Sequence, residues 1–260
     1  MTNNRPAYRH VADEIRSAIE AGQYAPGAQL PGDMTLAQQY DTSRATVGNA
    51  IRSLLAEGYL IKKGRNYAVS PLLQKILRDA NARYLKKNRE STPDGAPSSG
   101  AFASEVKAMG MRAGWETTVE RVAPPQNIAE LLEVSADEAS VLSRSRHMRA
   151  NDTPVQLATS YIPGDIAFDS QLENVDTGAG GTKSRLAEMG FAQTDVTEEI
   201  NVRPPSPEEV DLLDLPEDAR VYELLHIART AEGRVVEAAI HVMPVHQWTL
   251  RFNWSIEQAN

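Results

Sequence analysis

The chain has 260 residues, of which 41% are hydrophobic and 24% are charged, so it is long enough for two globular domains that each bury a core. It contains no cysteine, no apolar stretch of membrane-spanning length and no charged-then-apolar leader, so the sequence favours neither a disulfide-stapled nor a membrane protein and predicts a cytoplasmic location. The net charge of -8 is uneven: residues 1–90 carry 14 Lys and Arg against 8 Asp and Glu, a net of +6, whereas residues 91–260 carry 13 against 27, a net of -14. A basic first part points to a polyanionic partner for that part alone.

The first third of the chain contains three helical patterns followed by a hairpin. Apolar residues recur at three- and four-residue spacing from Tyr8 to Ala21, which predicts a helix. Asp33 is the expected cap of a second, short helix, and Ser43 is the expected cap of a third. Two short strands, Tyr59–Lys62 and Asn66–Val69, are predicted around a basic turn. This order of elements is that of a winged helix-turn-helix.

The rest of the chain mixes strands and helices. A moderate helical pattern covers residues 71–89, and the Ser-, Pro- and Gly-rich residues 91–100 predict a flexible linker. The predicted strands are Trp115–Val122, Ser140–Met148, Pro154–Ile162, Thr194–Val202, Val221–Arg229, Arg234–Val242 and Gln247–Trp254, and the predicted helices are Phe102–Met109, Asn127–Glu133, Thr182–Met189 and Pro207–Leu213. Short connections favour antiparallel pairing, so the fold class is predicted to be α+β.

The start of the third helix carries side chains suited to DNA. If this helix enters a major groove, its first turn presents Ser43, Arg44, Ala45 and Thr46 to the base edges. Arg44 can donate two hydrogen bonds to a guanine, a contact worth about 1 to 3 kcal/mol of discrimination. The hydroxyls of Ser43 and Thr46 suit phosphate oxygens, helped by the positive end of the helix dipole.

The tip of the hairpin is cationic. It consists of Lys63, Gly64 and Arg65, so two positive side chains flank a residue that lets the backbone come close to a partner. Such a tip can neutralise phosphates or enter the minor groove. The acidic total therefore conceals a basic module with a predicted double-stranded DNA partner.

Residues 6–70 resemble the DNA-binding domain of the GntR family of bacterial transcription regulators. The matching landmarks are Tyr8, Ile15, Gly22, Pro26-Gly27, Leu30-Pro31, Leu36-Ala37, Ser43-Arg44, Thr46-Val47, Ala50, Leu54 and Glu57-Gly58. The resemblance implies that Arg44, Thr46 and the wing around Gly64 touch DNA. Two positions depart from the family pattern, because Gly48 replaces a common arginine and the wing lacks the common Gly-x-Gly-Thr ending. The family's usual operator sequence is therefore not expected to carry over.

The second half resembles the UTRA effector domain of the HutC subfamily. The resemblance lies in residues 144–163, RSRHMRANDTPVQLATSYIP, and 233–244, GRVVEAAIHVMP. It implies a fold similar to chorismate lyase, with a mostly antiparallel sheet flanked by helices, and a pocket for a small-molecule effector. The expected organisation is a DNA-binding domain over residues 1–72, a connecting helix and linker over 73–100, and an effector and dimerisation domain over 101–260.

The resemblance also implies positions for the effector contacts. Aligned on Pro154, the family's two arginines fall on Arg146 and Met148, and its glutamate falls on Ala158, so two of three polar anchors are missing. Because an unpaired buried charge is costly, this pattern predicts a ligand that is less charged and more apolar than usual. The polar candidates that remain are Arg146, Arg149, Tyr161 and Glu237.

No motif indicates catalysis or a cofactor. The spacing of His226, His241, His246 and Glu237 matches no metal-ligand signature, so no metal is predicted. The predicted function is that of a homodimeric transcription regulator, specifically a repressor, which binds a palindromic operator under the control of an effector. Two alternatives remain: an effector-independent DNA-binding regulator of plasmid maintenance or transfer, and a chorismate-lyase-like enzyme fused to a DNA-binding head.

Overall fold

The computed structural model describes residues 6–84, 100–216 and 218–254, and these form two compact units. The first unit, called the head below, contains the described residues within Met1–Lys75, Pro204–Arg220 and Pro244–Gln247. The second, called the sheet unit, contains those within Ile76–Arg203, Val221–Met243 and Trp248–Asn260. The head is thus assembled from three separate stretches of the chain.

Helices and strands are mixed along the chain. The helices are α1 (Ala7–Glu20), α2 (Asp33–Gln39), α3 (Arg44–Ala56), α4 (Ala80–Tyr84), α5 (Gly100–Ala108), α6 (Gln126–Leu132), α7 (Gly164–Ala167), α8 (Gly181–Glu188) and α9 (Pro207–Leu213), with a 3-10 turn at Gln171–Glu173. The strands are β1 (Leu60–Lys63), β2 (Asn66–Val69), β3 (Ile76–Asp79), β4 (Ala113–Val122), β5 (Val141–Ala150), β6 (Thr153–Pro163), β7 (Asp195–Arg203), β8 (Val221–Arg229), β9 (Val235–Pro244) and β10 (Trp248–Arg251).

The head has the predicted winged helix-turn-helix order. Helices α1, α2 and α3 enclose one apolar core, and β1 pairs with β2 as an antiparallel hairpin. Helix α3 contributes one stripe of buried residues to that core: Val47, Ala50, Ile51 and Leu54. Their spacing of three and four residues leaves the opposite side of α3 facing solvent.

Of the two predicted helix caps, Ser43 is confirmed and Asp33 is wrong. Ser43 caps α3 as expected, and its side chain accepts a hydrogen bond from the backbone N–H of Thr46. The prediction for Asp33 is wrong, because Gly32 occupies the cap position of α2 and no side chain bonds to that helix start. Asp33 is instead the first helical residue, where its carboxylate interacts favourably with the positive end of the helix dipole.

The sheet unit is built on a six-stranded sheet with the order β4-β5-β6-β9-β8-β7. The pairs β4–β5, β5–β6, β6–β9 and β7–β8 are antiparallel, as predicted. Neighbouring residues of β5 point to opposite faces, and Val141 packs in a cluster with α6 whereas Leu142 packs in a cluster with α7 and α8. Helices therefore flank the sheet on both faces.

The helix predicted over residues 71–89 is wrong in its first part. Ile76–Asp79 form strand β3, which pairs in parallel with β10, and a helix begins only at Ala80. Ile76 and Arg78 are both buried, which is the alternation of a strand, and Arg78 forms a buried ion pair with Glu198 of β7. These distant partners outweigh a weak local helical pattern. Residues 85–89 and 91–99, including most of the predicted linker, lie outside the described residues.

The other predicted helices and strands are present, with ends shifted by at most three residues. Strands β2 and β8 and helix α9 have the predicted bounds. Helix α7 and the following 3-10 turn were not predicted, because each is too short to show a periodic pattern.

A close contact within the head involves the turn that ends α3. Gly58 has a φ of 81°, and a Cβ added there would collide with the ring of His246. Burial, with a smaller contribution from the nearby charge of Lys75, lowers the pKa of His246 to about 4, so this imidazole is neutral at pH 7. The absence of a side chain at position 58 thus makes room for a ring from a distant part of the chain.

We expect Gly58→Ala to lower the free energy of unfolding by about 2 kcal/mol or more, because the new methyl group meets both a positive φ and the His246 ring. Gly48→Ala is the matched control, since a Cβ there meets nothing within 4 Å in the middle of α3. It should stabilise the protein by about 1 kcal/mol. Urea unfolding of the full chain, followed by circular dichroism, measures both, and a shift in the same direction for the two variants would contradict this account.

Candidate functional site

The start of α3 is organised by Ser43. Its Oγ lies 3.1 Å from the backbone nitrogen of Thr46, from which it accepts a hydrogen bond, and 2.9 Å from the Thr46 hydroxyl oxygen. The two hydroxyls that were expected to contact phosphates are therefore already joined to each other and to the helix end. Ser43 is exposed and Thr46 is partly buried, so both remain at the surface of the head.

Arg44 and Ala45 follow the cap and are exposed. Within the described residues Arg44 forms no hydrogen bond or ion pair, so its guanidinium is available to an external acceptor. Exposed hydroxyl, guanidinium and helix-end N–H groups thus come together at the first turn of α3. This set can bind both phosphates and base edges.

The hairpin tip has the predicted basic character. Lys63 pairs with Asn66 at the end of the hairpin, and the connecting turn is formed by Gly64 and Arg65. Gly64 has a φ of 63°, a conformation that favours glycine. Lys63, Gly64 and Arg65 are all exposed, so two cationic side chains lie at the tip of the hairpin.

The predicted effector residues lie mostly on one face of the six-stranded sheet. Arg146 of β5 is opposite Ala158 of β6, which in turn is opposite His241 of β9. Met148 lies two residues along from Arg146, so its side chain points to the same face. Directly opposite residues in such a sheet have Cβ atoms about 5 Å apart. Three strands therefore bring Arg146, Ala158 and His241 into one row.

Tyr161 is on the other face of the sheet. It lies three residues after Ala158 in β6, and its ring packs in the cluster formed by Ile128, Leu132, Val141 and Ala238. Burial raises the pKa of the Tyr161 hydroxyl. The structure thus separates Tyr161 from Arg146. Arg149 is separated from the row as well, since a register shift follows Met148 and the Arg149 side chain donates to the carbonyl oxygen of Asp152 at 3.3 Å.

Arg144, which the sequence did not single out, is buried beside Arg146. Its guanidinium donates to the backbone carbonyl oxygens of Leu172, Asn174 and Val175, the last two at 2.7 and 3.0 Å. Burial lowers the pKa of Arg144, and the charge of Arg146 lowers it further, while Glu237 raises it. Arg144 therefore fixes the segment after α7 over this face of the sheet. The alternation Arg-Ser-Arg in a strand was the signal that could have indicated it.

Arg146 and Glu237 form the charged part of the site. Burial lowers the pKa of Arg146, the carboxylate of Glu237 raises it, and Arg83 lowers it. Among the residues that the structure describes, the Arg146 guanidinium has no hydrogen-bond partner, whereas Glu237 accepts a hydrogen bond from the Gln193 amide at 2.7 Å. A partly buried guanidinium with free donors is a binding group for an anion.

A buried polar chain extends from His241 to the edge of the sheet. Gln156 lies 2.8 Å from Nδ1 of His241, whose ring is 6.3 Å from that of His226, and His226 lies 3.4 Å from the Glu198 carboxylate that pairs with Arg78. Burial lowers the pKa of His241 well below its usual value, and the positive charges around it act in the same direction. His241 is therefore neutral at pH 7; with Nδ1 accepting from the Gln156 amide, its proton is on Nε2.

The histidines do not form a metal site in the described part of the chain. His226 and His241 belong to the sheet unit, whereas His246 belongs to the head. No three His, Cys, Asp or Glu side chains come together as metal ligands among the described residues. None of the described helices has the length and hydropathy to cross a membrane.

Comparison with known proteins identifies both halves of the chain. The model of bacterial regulatory proteins of the gntR family matches residues 7–67, and the UTRA domain model matches residues 108–247. The HTH-type transcriptional regulator SCO4628 of Streptomyces coelicolor is 31% identical over 99% of this chain and 94% of its own length. The chain belongs to the GntR family of transcriptional regulators, with a UTRA effector domain.

More distant relatives cover nearly the same length. The HTH-type transcriptional repressor NagR of Bacillus subtilis is 24% identical to this GntR-family regulator over 94% of the chain and 93% of its own length. Among solved structures, a GntR-family transcriptional regulator superposes with a TM-score of 0.56 at 24% identity, covering 97% of this chain and 99% of the other. PhnF of Mycobacterium smegmatis gives 0.57 at 20% identity, with coverages of 95% and 100%. These two structures have the same fold.

Two substitutions separate the roles of Ser43 in this GntR-family regulator. Ser43→Ala removes the cap and should lower the free energy of unfolding by about 1 kcal/mol. Ser43→Asp supplies an equally good cap and should keep the stability, but its carboxylate should weaken DNA binding by repelling phosphates. Chemical unfolding and DNA titration at fixed salt measure the two effects. Tight DNA binding by Ser43→Asp would rule out a phosphate near this helix end.

Proposed function

We propose that this protein is a homodimeric repressor that binds a palindromic operator with one α3 in each half-site, and that a small-molecule effector alters its affinity. Residues 1–72 act as the DNA-binding domain, residues 73–100 connect, and residues 101–260 bind the effector and dimerise. The proposal rests above all on one observation. At the capped start of α3, Arg44 is exposed and its side chain bonds to no described residue, and the same unit carries an exposed cationic hairpin tip. The relative NagR is named a repressor, which supports the direction of control.

Dimeric binding follows from the geometry of operators. One α3 reads only a few base pairs, so sequence selectivity in a genome requires two heads related by a twofold axis. We expect half-sites about 10 base pairs apart, one turn of DNA. The proposed place of action is the cytoplasm, where the operator is. We propose no catalytic role, since the face around Arg146 offers a binding group and, among the described residues, no activated nucleophile.

The residues around Arg146 suggest the chemical class of the effector. The positive charges of Arg144 and Arg146 outnumber the one carboxylate of Glu237, so this group carries one net positive charge. Met148 and Ala158 on the same face are buried and apolar. A small molecule with one negative charge and an apolar body fits this combination better than a phosphorylated ligand with two charges. Such an effector changes DNA affinity only if it prefers one arrangement of the two heads.

Selection of DNA from a random pool by the purified full-length protein, at a stated salt concentration, tests the DNA-binding part. An enriched inverted repeat is the expected result. In the same experiment Arg44→Ala should lose base preference within each half-site, because a guanine contact is removed. Lys63→Ala should weaken all sequences alike and lower the salt slope by about one, because a phosphate contact is removed. Equal loss of selectivity in both variants would contradict these separate roles.

Calorimetric titration of the full-length protein tests the effector site. Small aliphatic and aromatic monocarboxylates should bind more tightly than sugar phosphates, and Arg146→Gln should weaken that binding roughly ten- to a hundred-fold by removing a charge-assisted hydrogen bond. Arg149→Gln is the matched control, since Arg149 is held by the Asp152 carbonyl outside the row, and it should bind normally. Tighter binding of phosphorylated ligands would overturn the proposed class. Binding of no small molecule by a protein that still selects an operator would favour an effector-independent regulator.

A further inference from the structure

The solvent side of α3 contains two polar residues beyond its first turn. The helix repeats every 3.6 residues, so the side opposite the buried stripe presents Ala45, Gly48, Asn49 and Arg52. Asn49 and Arg52 are both exposed. Ala45 and Gly48 offer no side-chain hydrogen bond, so any base recognition beyond Arg44 on this side of the helix falls to Asn49 and Arg52.

Asn49 and Arg52 are bonded to each other. Nη2 of Arg52 donates to the side-chain oxygen of Asn49, one turn earlier in the helix. An amide can orient a guanidinium without neutralising it, and most of the five Arg52 donors stay free. Arg16 of α1 differs, because its guanidinium is bound by the carboxylates of Asp13 and Glu57. In the described part of the chain Arg52 forms no ion pair, so it keeps its full charge toward an external partner.

Gly48 adds no side chain to the helix surface between Arg44 and Arg52. A Cβ placed on Gly48 would meet nothing within 4 Å, so no neighbouring side chain fills this position. Arg44 and Arg52 are eight residues apart, which is about 12 Å along the helix axis, or roughly three to four base-pair steps. The helix backbone can therefore approach base edges at Gly48 while long side chains reach the DNA before and after it.

We propose that Arg52 is a second base-reading residue of α3, which binds a guanine in the major groove, and that Asn49 positions its guanidinium. The inference depends on the proposed DNA-binding function. One edge of the Arg52 guanidinium is held by Asn49, and another edge presents the paired donors that match the two acceptors of guanine. Arg44 and Arg52 then specify separate positions of each half-site.

The test is selection from the random pool by the full-length wild type and by Arg52→Lys, Arg52→Ala and Asn49→Ala. Arg52→Lys keeps the charge but not the planar fork, so a guanine preference at one position of each half-site should fall roughly ten-fold while the position read by Arg44 is unchanged. Asn49→Ala should reduce the preference at that same position by less, because it only loosens the orientation of Arg52. Arg112→Ala, which removes an exposed arginine of the sheet unit, should leave the selected sequence unaltered.

The outcomes separate this inference from the function on which it depends. If the wild type selects an inverted repeat and Arg52→Lys selects the same one, Arg52 does not read a base. If Arg52→Ala weakens the binding of all sequences alike and lowers the salt slope by about one, Arg52 contacts a phosphate instead. A wild type that selects no sequence overturns both the inference and the proposed function. All four substitutions are at exposed positions, and circular dichroism melts check that the variants fold.

Discussion

The buried stripe of α3 is the constraint on which the DNA-binding surface depends. Val47, Ala50, Ile51 and Leu54 are fully enclosed by the core of the head, so the helix has only one rotation about its axis that buries all four. That rotation decides which residues face outward, and it places polar side chains of α3 away from the core. The Ser43 cap then fixes where the helix begins, so Arg44 is the first residue of its exposed first turn.

In the sheet unit the equivalent constraint is the alternation of side chains across the strands. Arg146, Ala158 and His241 share a face because their strands are paired in a particular register, and Tyr161 is excluded from that face by its odd spacing from Ala158. The buried Arg78–Glu198 ion pair links β3 to β7. Removing one partner of such a pair leaves an uncompensated buried charge, so the pair fixes position more than it adds stability.

Local sequence patterns predicted the helices and strands whose formation depends mainly on their own residues. The three head helices, the hairpin and strand β8 were predictable because each shows its own periodicity, and Ser43 was predictable because a cap needs only its own helix. Residues 76–79 were not, since their strand partner Trp248–Arg251 is far away in sequence. The row that joins Arg146 to His241 depends on register across three strands, which no single strand reveals. Asn49 and Arg52 could have been found from the helix period, since they lie opposite the apolar stripe.

The packing of the His246 ring against Gly58 has a consequence for folding during synthesis. The ribosome completes the winged helix-turn-helix long before it reaches Pro204–Arg220 and Pro244–Gln247, which belong to the same compact unit. At typical elongation rates the interval from Gly58 to His246 lasts roughly ten to forty seconds. During that time the nascent head has a bare surface where the imidazole will later pack. A segment that is synthesised much later therefore completes the compact unit that contains Gly58.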